Sequence, residues 1–351
     1  MIPITESLSN KLTNMSLVCA VLIVSIHTTI DCSEVGSVLW FFRHYFTLSG
    51  IVAIAVPFFF VASGFLLAGQ MEENGWYRKA LQKRLRTLGV PYLFWNVFYF
   101  LFTLGLVVLG DCIGVPFGCW DNYEISWLRF AEVFGLNPLE TPELPFLWYV
   151  RALFLLVLLS PLFKRVSAWG VLIVFSAYFI TSLFPCLPPV LRELFSSWFL
   201  PLRGVAYFVL GMYLRNHPMR VCKWGGALIV PGFLFWFVGQ WLSIEADGIL
   251  LRALIWWSVP LTLYGVWSLI PCQKWPTWLT RCAFPMFLLQ SALMTLFMGV
   301  LRLCSLKTWG YTTIVGYALR FLVVASVAIW LTNLLHKQMP KVTNIIFGGR
   351  G

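Results

Sequence analysis

Long, unbroken apolar runs separated by short polar segments set the pattern of this chain. A bilayer crossing needs about 20 mainly apolar residues. About ten stretches fit, at roughly 15–31, 50–69, 88–110, 146–163, 168–184, 198–214, 224–243, 249–270, 282–302 and 313–335. Strands of a membrane barrel would be about ten residues long and alternate in polarity. These runs are continuous, so the pattern predicts an all-α polytopic membrane protein with about ten transmembrane helices. Residues 1–351 read as a single transmembrane domain. The longest polar segment, about 111–145, has room for a short surface helix near 124–135. No internal repeat is visible.

Charges between the runs give the expected orientation. With the N-terminus cytoplasmic, most of the 25 Lys and Arg fall on inner segments, and only Arg43, Arg129, Arg192 and Lys307 fall on outer loops. Of the 14 acids, only Glu6, Glu72 and Glu73 share the cationic side. Cations concentrate on cytoplasmic loops, so both termini are expected in the cytoplasm. Dropping or adding one span would scramble this alternation. The first run is flanked by Glu6 and lacks a small-residue cleavage site; it reads as a retained span, not a cleaved signal.

Composition agrees with the pattern. The chain is 60% hydrophobic and 11% charged, against about 45–50% and 25% in soluble domains. Its mean hydropathy is +0.82. A net charge of +11 raises the question of nucleic acid, but the cations lie between apolar runs and form no basic domain, so no nucleic acid is expected. The nine Cys show no metal-ligand spacing, and no metal is expected. Cys112 and Cys119 share one loop and could pair in an oxidising compartment.

Candidate chemistry lies in the few ionisable residues within the runs, because each costs about 2.5–3.5 kcal/mol to insert. Five stand out, His27, Arg151, Arg203, Arg252 and Arg320, all expected in the outer half of the membrane, and no acid lies in the runs of the four arginines. Inward-facing arginines at one level would form an anion-binding cavity. The alternative is that some, Arg252 foremost, snorkel to head groups. His27 is the one His within a span core. It can accept a proton near neutral pH, or serve as a structural hydrogen-bonder. The basic run from Arg78 to Arg86 reads either as a topology and lipid-phosphate signal or as a landing site for a polyphosphate ligand.

These residues occur in motifs whose order resembles the acyltransferase 3 family of integral membrane acyltransferases. The first run, from Ser16 to His27, is similar to the family's first helix with its late His. Val56-Pro57-Phe58-Phe59-Phe60-Val61-Ala62-Ser63-Gly64-Phe65 resembles its Phe-Phe-x-x-Ser-Gly-Phe signature. The basic run ending in Pro91-Tyr92, Leu147-Trp148-Tyr149-Val150-Arg151, Leu159-Ser160-Pro161-Leu162 and Phe284-Pro285-Met286-Phe287-Leu288-Leu289-Gln290 follow in register. Two positions depart. The family commonly places a cation eleven residues before the His, on the same helix face about 16 Å away; here that residue is Ser16. Gln290 stands where the family often has His, which removes a titratable group.

The resemblance implies transfer of an acyl group, usually acetyl from acetyl-CoA as co-substrate, to a hydroxyl of a glycan or lipid-linked sugar. The setting implied is the bacterial cytoplasmic (inner) membrane, with no bound cofactor. His27 would be the general base or a transient acyl carrier. Arg151, Arg203 and Arg320 would contact donor phosphates or the developing oxyanion. Ser63 and Gly64 fit close helix approach better than nucleophile and hinge. Trp148 would line the acceptor site or sit in an interfacial belt. Ten spans and intramembrane arginines also permit a transporter or channel, although matched broken helices are missing. A non-catalytic relative is the third reading, given Ser16 and Gln290.

Overall fold

The computed structural model describes residues 4–28, 37–43, 52–114, 144–183, 201–217, 223–245, 249–306 and 312–349, together with Ala131 and Trp309. Among these residues all regular structure is helical. Every predicted apolar run falls largely within a helix. Four helices are long and apolar enough to cross a membrane: Glu6–His27, the continuous Trp76–Ile113, Ala283–Leu303 and Ile314–Gln338. Shorter apolar helical stretches occupy Val52–Ala68, Trp148–Phe163, Ala168–Ile180 and Gly225–Gly239. The expected surface helix at 124–135 and the Cys112–Cys119 pairing lie outside the described residues. So does the side chain of Arg252.

In chain order the helices are α1 (Glu6–His27), α2 (Val38–Phe42), α3 (Ala55–Ala68), α4 (Trp76–Arg84), α5 (Val90–Ile113), α6 (Trp148–Leu159), α7 (Ala168–Leu183), α8 (Leu202–Asn216), α9 (Ile229–Glu245), α10 (Ile249–Leu269), α11 (Thr277–Thr280), α12 (Ala283–Leu303), α13 (Ile314–Gln338) and α14 (Pro340–Ile346). Local sequence sets their ends. The Thr5, Ser37 and Thr313 hydroxyls accept from the backbone N–H three residues on, capping α1, α2 and α13. A left-handed glycine, Gly114 at φ 67°, closes α5. Ser160-Pro161 converts the end of α6 into a 3-10 turn over Ser160–Phe163, because proline cannot donate to the preceding turn.

Helix α1 lies at the centre, packed against α3, α12 and α13. Its start is pinned to the end of α10 and the segment after it. The Asn14 amide donates to the carbonyls of Pro271 (3.0 Å) and Gln273 (2.8 Å), and Lys11 lies over the Trp267 ring at 4.8 Å. Helices α3 and α8 approach through reciprocal glycines. A methyl group at Gly64 would sit 2.1 Å from the Phe208 carbonyl oxygen, and one at Gly211 would sit 2.0 Å from that of Val61. Only a missing side chain permits such an approach, the small-residue packing common between membrane helices. This accounts for the glycine of the Phe-Phe-x-x-Ser-Gly-Phe signature. Its Phe65 lies beneath the buried Arg215 guanidinium, 4.9 Å from ring centre to Cζ.

Between α4 and α5 the helix widens into a π-turn over Leu85–Gly89. The segment after α13 packs on it. Phe347 stacks on Trp95 at 5.7 Å, and the Trp95 indole donates to the Ile346 carbonyl at 2.9 Å. This joint fixes Arg84, the last residue of α4, relative to α5.

Candidate functional site

A cavity of about 290 Å³ opens between α1, α3, the end of α4 and the start of α12. Its α1 wall is Thr13, Ser16 and Ile23, residues spaced by three and seven positions and therefore on one helix face. From Thr13 to Ile23 the helix rises about 15 Å. His27 follows Ile23 by four residues, so it lies on this same face about 6 Å further along the axis. Ser63 and Phe59 of α3 form another wall, with Tyr149 of α6 beside them.

Two arginines complete the lining, Arg84 and Arg281. Both stand at the end of the cavity where the predicted inner segments gather. Among the described residues no carboxylate lines it, and the one ion pair between described residues, Lys79–Glu73, is exposed. Positive charge in a cleft without a neutralising acid favours anions.

His27 is the last residue of α1, partly buried. Its ring packs on Phe146 with centroids 3.7 Å apart and planes at 45°. Phe146 belongs to the 3-10 turn Pro145–Leu147 that leads into α6. Asn96 of α5 holds this turn by accepting from the Leu144 N–H at 3.1 Å. The imidazole is thus set against an aromatic ring just beyond the end of the cavity opposite Arg84 and Arg281.

The other predicted residues scatter around this axis. Ser63 lines the cavity. Trp148 stands one position before the cavity-lining Tyr149, its ring 6.4 Å from that of Phe60. Arg151 is buried beside the Tyr92 hydroxyl. Arg203 donates to the Ala53 carbonyl at 3.0 Å, near Tyr178 and Tyr207. Arg320 is buried with Nη1 3.6 Å from the Met298 sulfur, close to Tyr317. The Tyr317 hydroxyl pairs with that of Ser25 on α1 at 2.7 Å. These three arginines have separate neighbours, and none lines the cavity described here.

Arg281 and Tyr149 were not singled out from the sequence, and Arg84 was read there only as part of the Arg78–Arg86 run, a topology and lipid-phosphate signal or a landing site for a polyphosphate ligand. Arg281 read as a topology signal, because position relative to an apolar run says nothing of which helices meet around it. Gln290 is fully buried, and neither its amide oxygen nor its nitrogen has a hydrogen-bond partner among the described residues.

Residues 12–336 match a family described as an acyltransferase domain. Comparison with curated proteins and with solved structures returned no match.

Proposed function

Because the chain belongs to the acyltransferase 3 family, and is therefore a membrane acyltransferase, we propose that it transfers an acetyl group from acetyl-CoA to a hydroxyl of a cell-surface or lipid-linked carbohydrate. The observation that carries this reading is the cavity along α1, with arginines at one end and His27 one turn past the other. A thioester donor with a phosphorylated head and a thin arm matches that layout. Its phosphates meet the cationic end, its arm follows the α1 face, and its carbonyl reaches the imidazole.

In the proposed reaction the His27 ring takes the proton of the acceptor hydroxyl as the oxygen attacks the thioester carbonyl. The C–O bond forms, the carbonyl electrons move to an oxyanion, and collapse expels the thiolate. The imidazolium returns its proton to that sulfur. The thioester is already activated, so no further co-reactant is needed. Arg151, buried on the helix that carries Tyr149 into the site and follows the Phe146 turn, is the preferred electrostatic support for the oxyanion. Anchoring roles suit Arg203 and Arg320 better, given their bonds to Ala53 and Met298. Trp148 is assigned to the acceptor side, where an aromatic face stacks on a sugar.

We place the protein in the bacterial inner membrane with about ten crossings, both termini and the Arg84–Arg281 end facing the cytoplasm, where acetyl-CoA is found. The test is the mass of the surface glycan from cells carrying wild type or His27→Ala at equal membrane levels. Wild-type glycan should be heavier by acetyl units, and the variant's should not. An unchanged acetyl content in the variant removes His27 from the chemistry. Flux of an ion or sugar through purified wild type, without thioester consumption, would replace the reading with a transporter.

A further inference from the structure

We infer that Arg281, aimed by Asn333, is a phosphate anchor for the donor, on the cavity end where α1 itself lines the wall with the uncharged Thr13 and Ser16. The inference rests on the acyltransferase reading above and names the residue that binds the donor's anionic head. Arg281 occupies the turn between α11 and α12 and reaches the cavity that Ser16 and Arg84 also line. Its Nε donates to the Asn333 side-chain oxygen at 3.0 Å, and its Nη2 donates to the same oxygen. The orientation of that amide is dictated by its other end. Asn333 Nδ2 donates to the Trp278 carbonyl at 3.0 Å and the Ile329 carbonyl at 2.8 Å, so its oxygen must face Arg281.

The chemical nature of this partner decides the role. A carboxylate in place of the amide would orient the guanidinium but cancel its charge. A neutral amide fixes two of its nitrogens and leaves the full positive charge and Nη1 for the cavity. The Cys282 thiol and the His336 imidazole also lie near Arg281, and neither is a carboxylate. Ser16 on the facing wall is neutral, and its hydroxyl is spent on the Leu12 carbonyl at 2.8 Å. Arg84 comes from a different helix. Two guanidinium groups on separate elements thus converge on one cavity, an arrangement suited to phosphate oxygens.

The test measures binding of acetyl-CoA and of S-acetylpantetheine, the same thioester without the nucleotide phosphates, to purified protein in neutral detergent free of phospholipid. Wild type should bind acetyl-CoA more tightly. Arg281→Gln should weaken acetyl-CoA roughly ten- to a hundredfold and leave S-acetylpantetheine unchanged. Adding Ser16→Arg to that variant, which returns a cation to the opposite wall, should restore much of the difference. Unchanged acetyl-CoA binding in Arg281→Gln overturns the inference, as does an equal loss of both ligands. Should Arg281→Gln fail to fold, Asn333→Ser is read instead, and an undiminished preference for acetyl-CoA overturns the inference. If acetyl-CoA and S-acetylpantetheine bind wild type equally, Arg281 is no phosphate anchor but the thioester reading stands. If neither binds, that reading falls with it.

Discussion

At the scale of single residues, the site is built from side chains whose partners leave their chemistry available. His27 packs on a ring that offers no proton acceptor in its plane. Its replacement by Ala should lower acyl transfer by at least about a hundredfold, the lower range for loss of a positioned acid–base group. Single-turnover assay of thioester consumption checks this, with thermal unfolding as the control for insertion. Gln290 behaves differently. A buried amide with no partner carries a desolvation cost of about 1–3 kcal/mol. Gln290→Leu, close in volume, should therefore raise the midpoint of thermal unfolding in detergent. Lower stability in that variant would mean that the amide is satisfied within the folded protein. His27 was legible in the sequence because a lone intramembrane imidazole stands out against an apolar run. Arg281 was not, because its meaning depends on Asn333, 52 residues away on another helix.

At the scale of helices, sequence pattern located the elements but not their contacts. Each predicted run corresponds to a helix because length and apolarity are local properties. The π-turn at Leu85–Gly89 was not foreseen, since nothing in its composition separates it from an ordinary turn of α-helix. The α3–α8 crossing was half visible. Gly64 was read as a close-approach residue, but its partner Gly211 is recognisable only once the Val61 and Phe208 carbonyls are placed. Gly64→Ala and Gly211→Ala should each destabilise by about 1–3 kcal/mol, the usual cost of overpacking. Because both insert into one interface, the double variant should cost less than the sum. Thermal unfolding of the three proteins measures this, and strict additivity would contradict a shared interface.

For the whole molecule, charge asymmetry is the property that connects topology to chemistry. The exposed Cys272 follows α10 at the Arg281 end, whereas the exposed Cys112 and Cys304 mark the opposite ends of α5 and α12. In the proposed orientation, a membrane-impermeant maleimide added to intact spheroplasts should label single-cysteine variants retaining Cys112 or Cys304. It should spare the variant retaining Cys272 until the membrane is opened. The reverse pattern would invert the protein and move the cationic end away from cytoplasmic acetyl-CoA. The list of arginines drawn from the sequence was organised by depth. Depth alone could not separate Arg203, committed to a backbone carbonyl, from the arginines that border open space.

The pinning of α1 at Asn14 makes this helix a molecular ruler. Its lower end is fixed by two carbonyl bonds, so every residue beyond is indexed by count. One alanine inserted between Ser16 and His27 would swing the imidazole about 100° around the axis, and four would return it to nearly the same bearing but lift it by about 6 Å. Both insertions preserve every side chain of the site. Both should silence acyl transfer while the protein still assembles in the membrane, because one turns the imidazole away from the donor's path and the other moves it too far from the end that holds the donor's head.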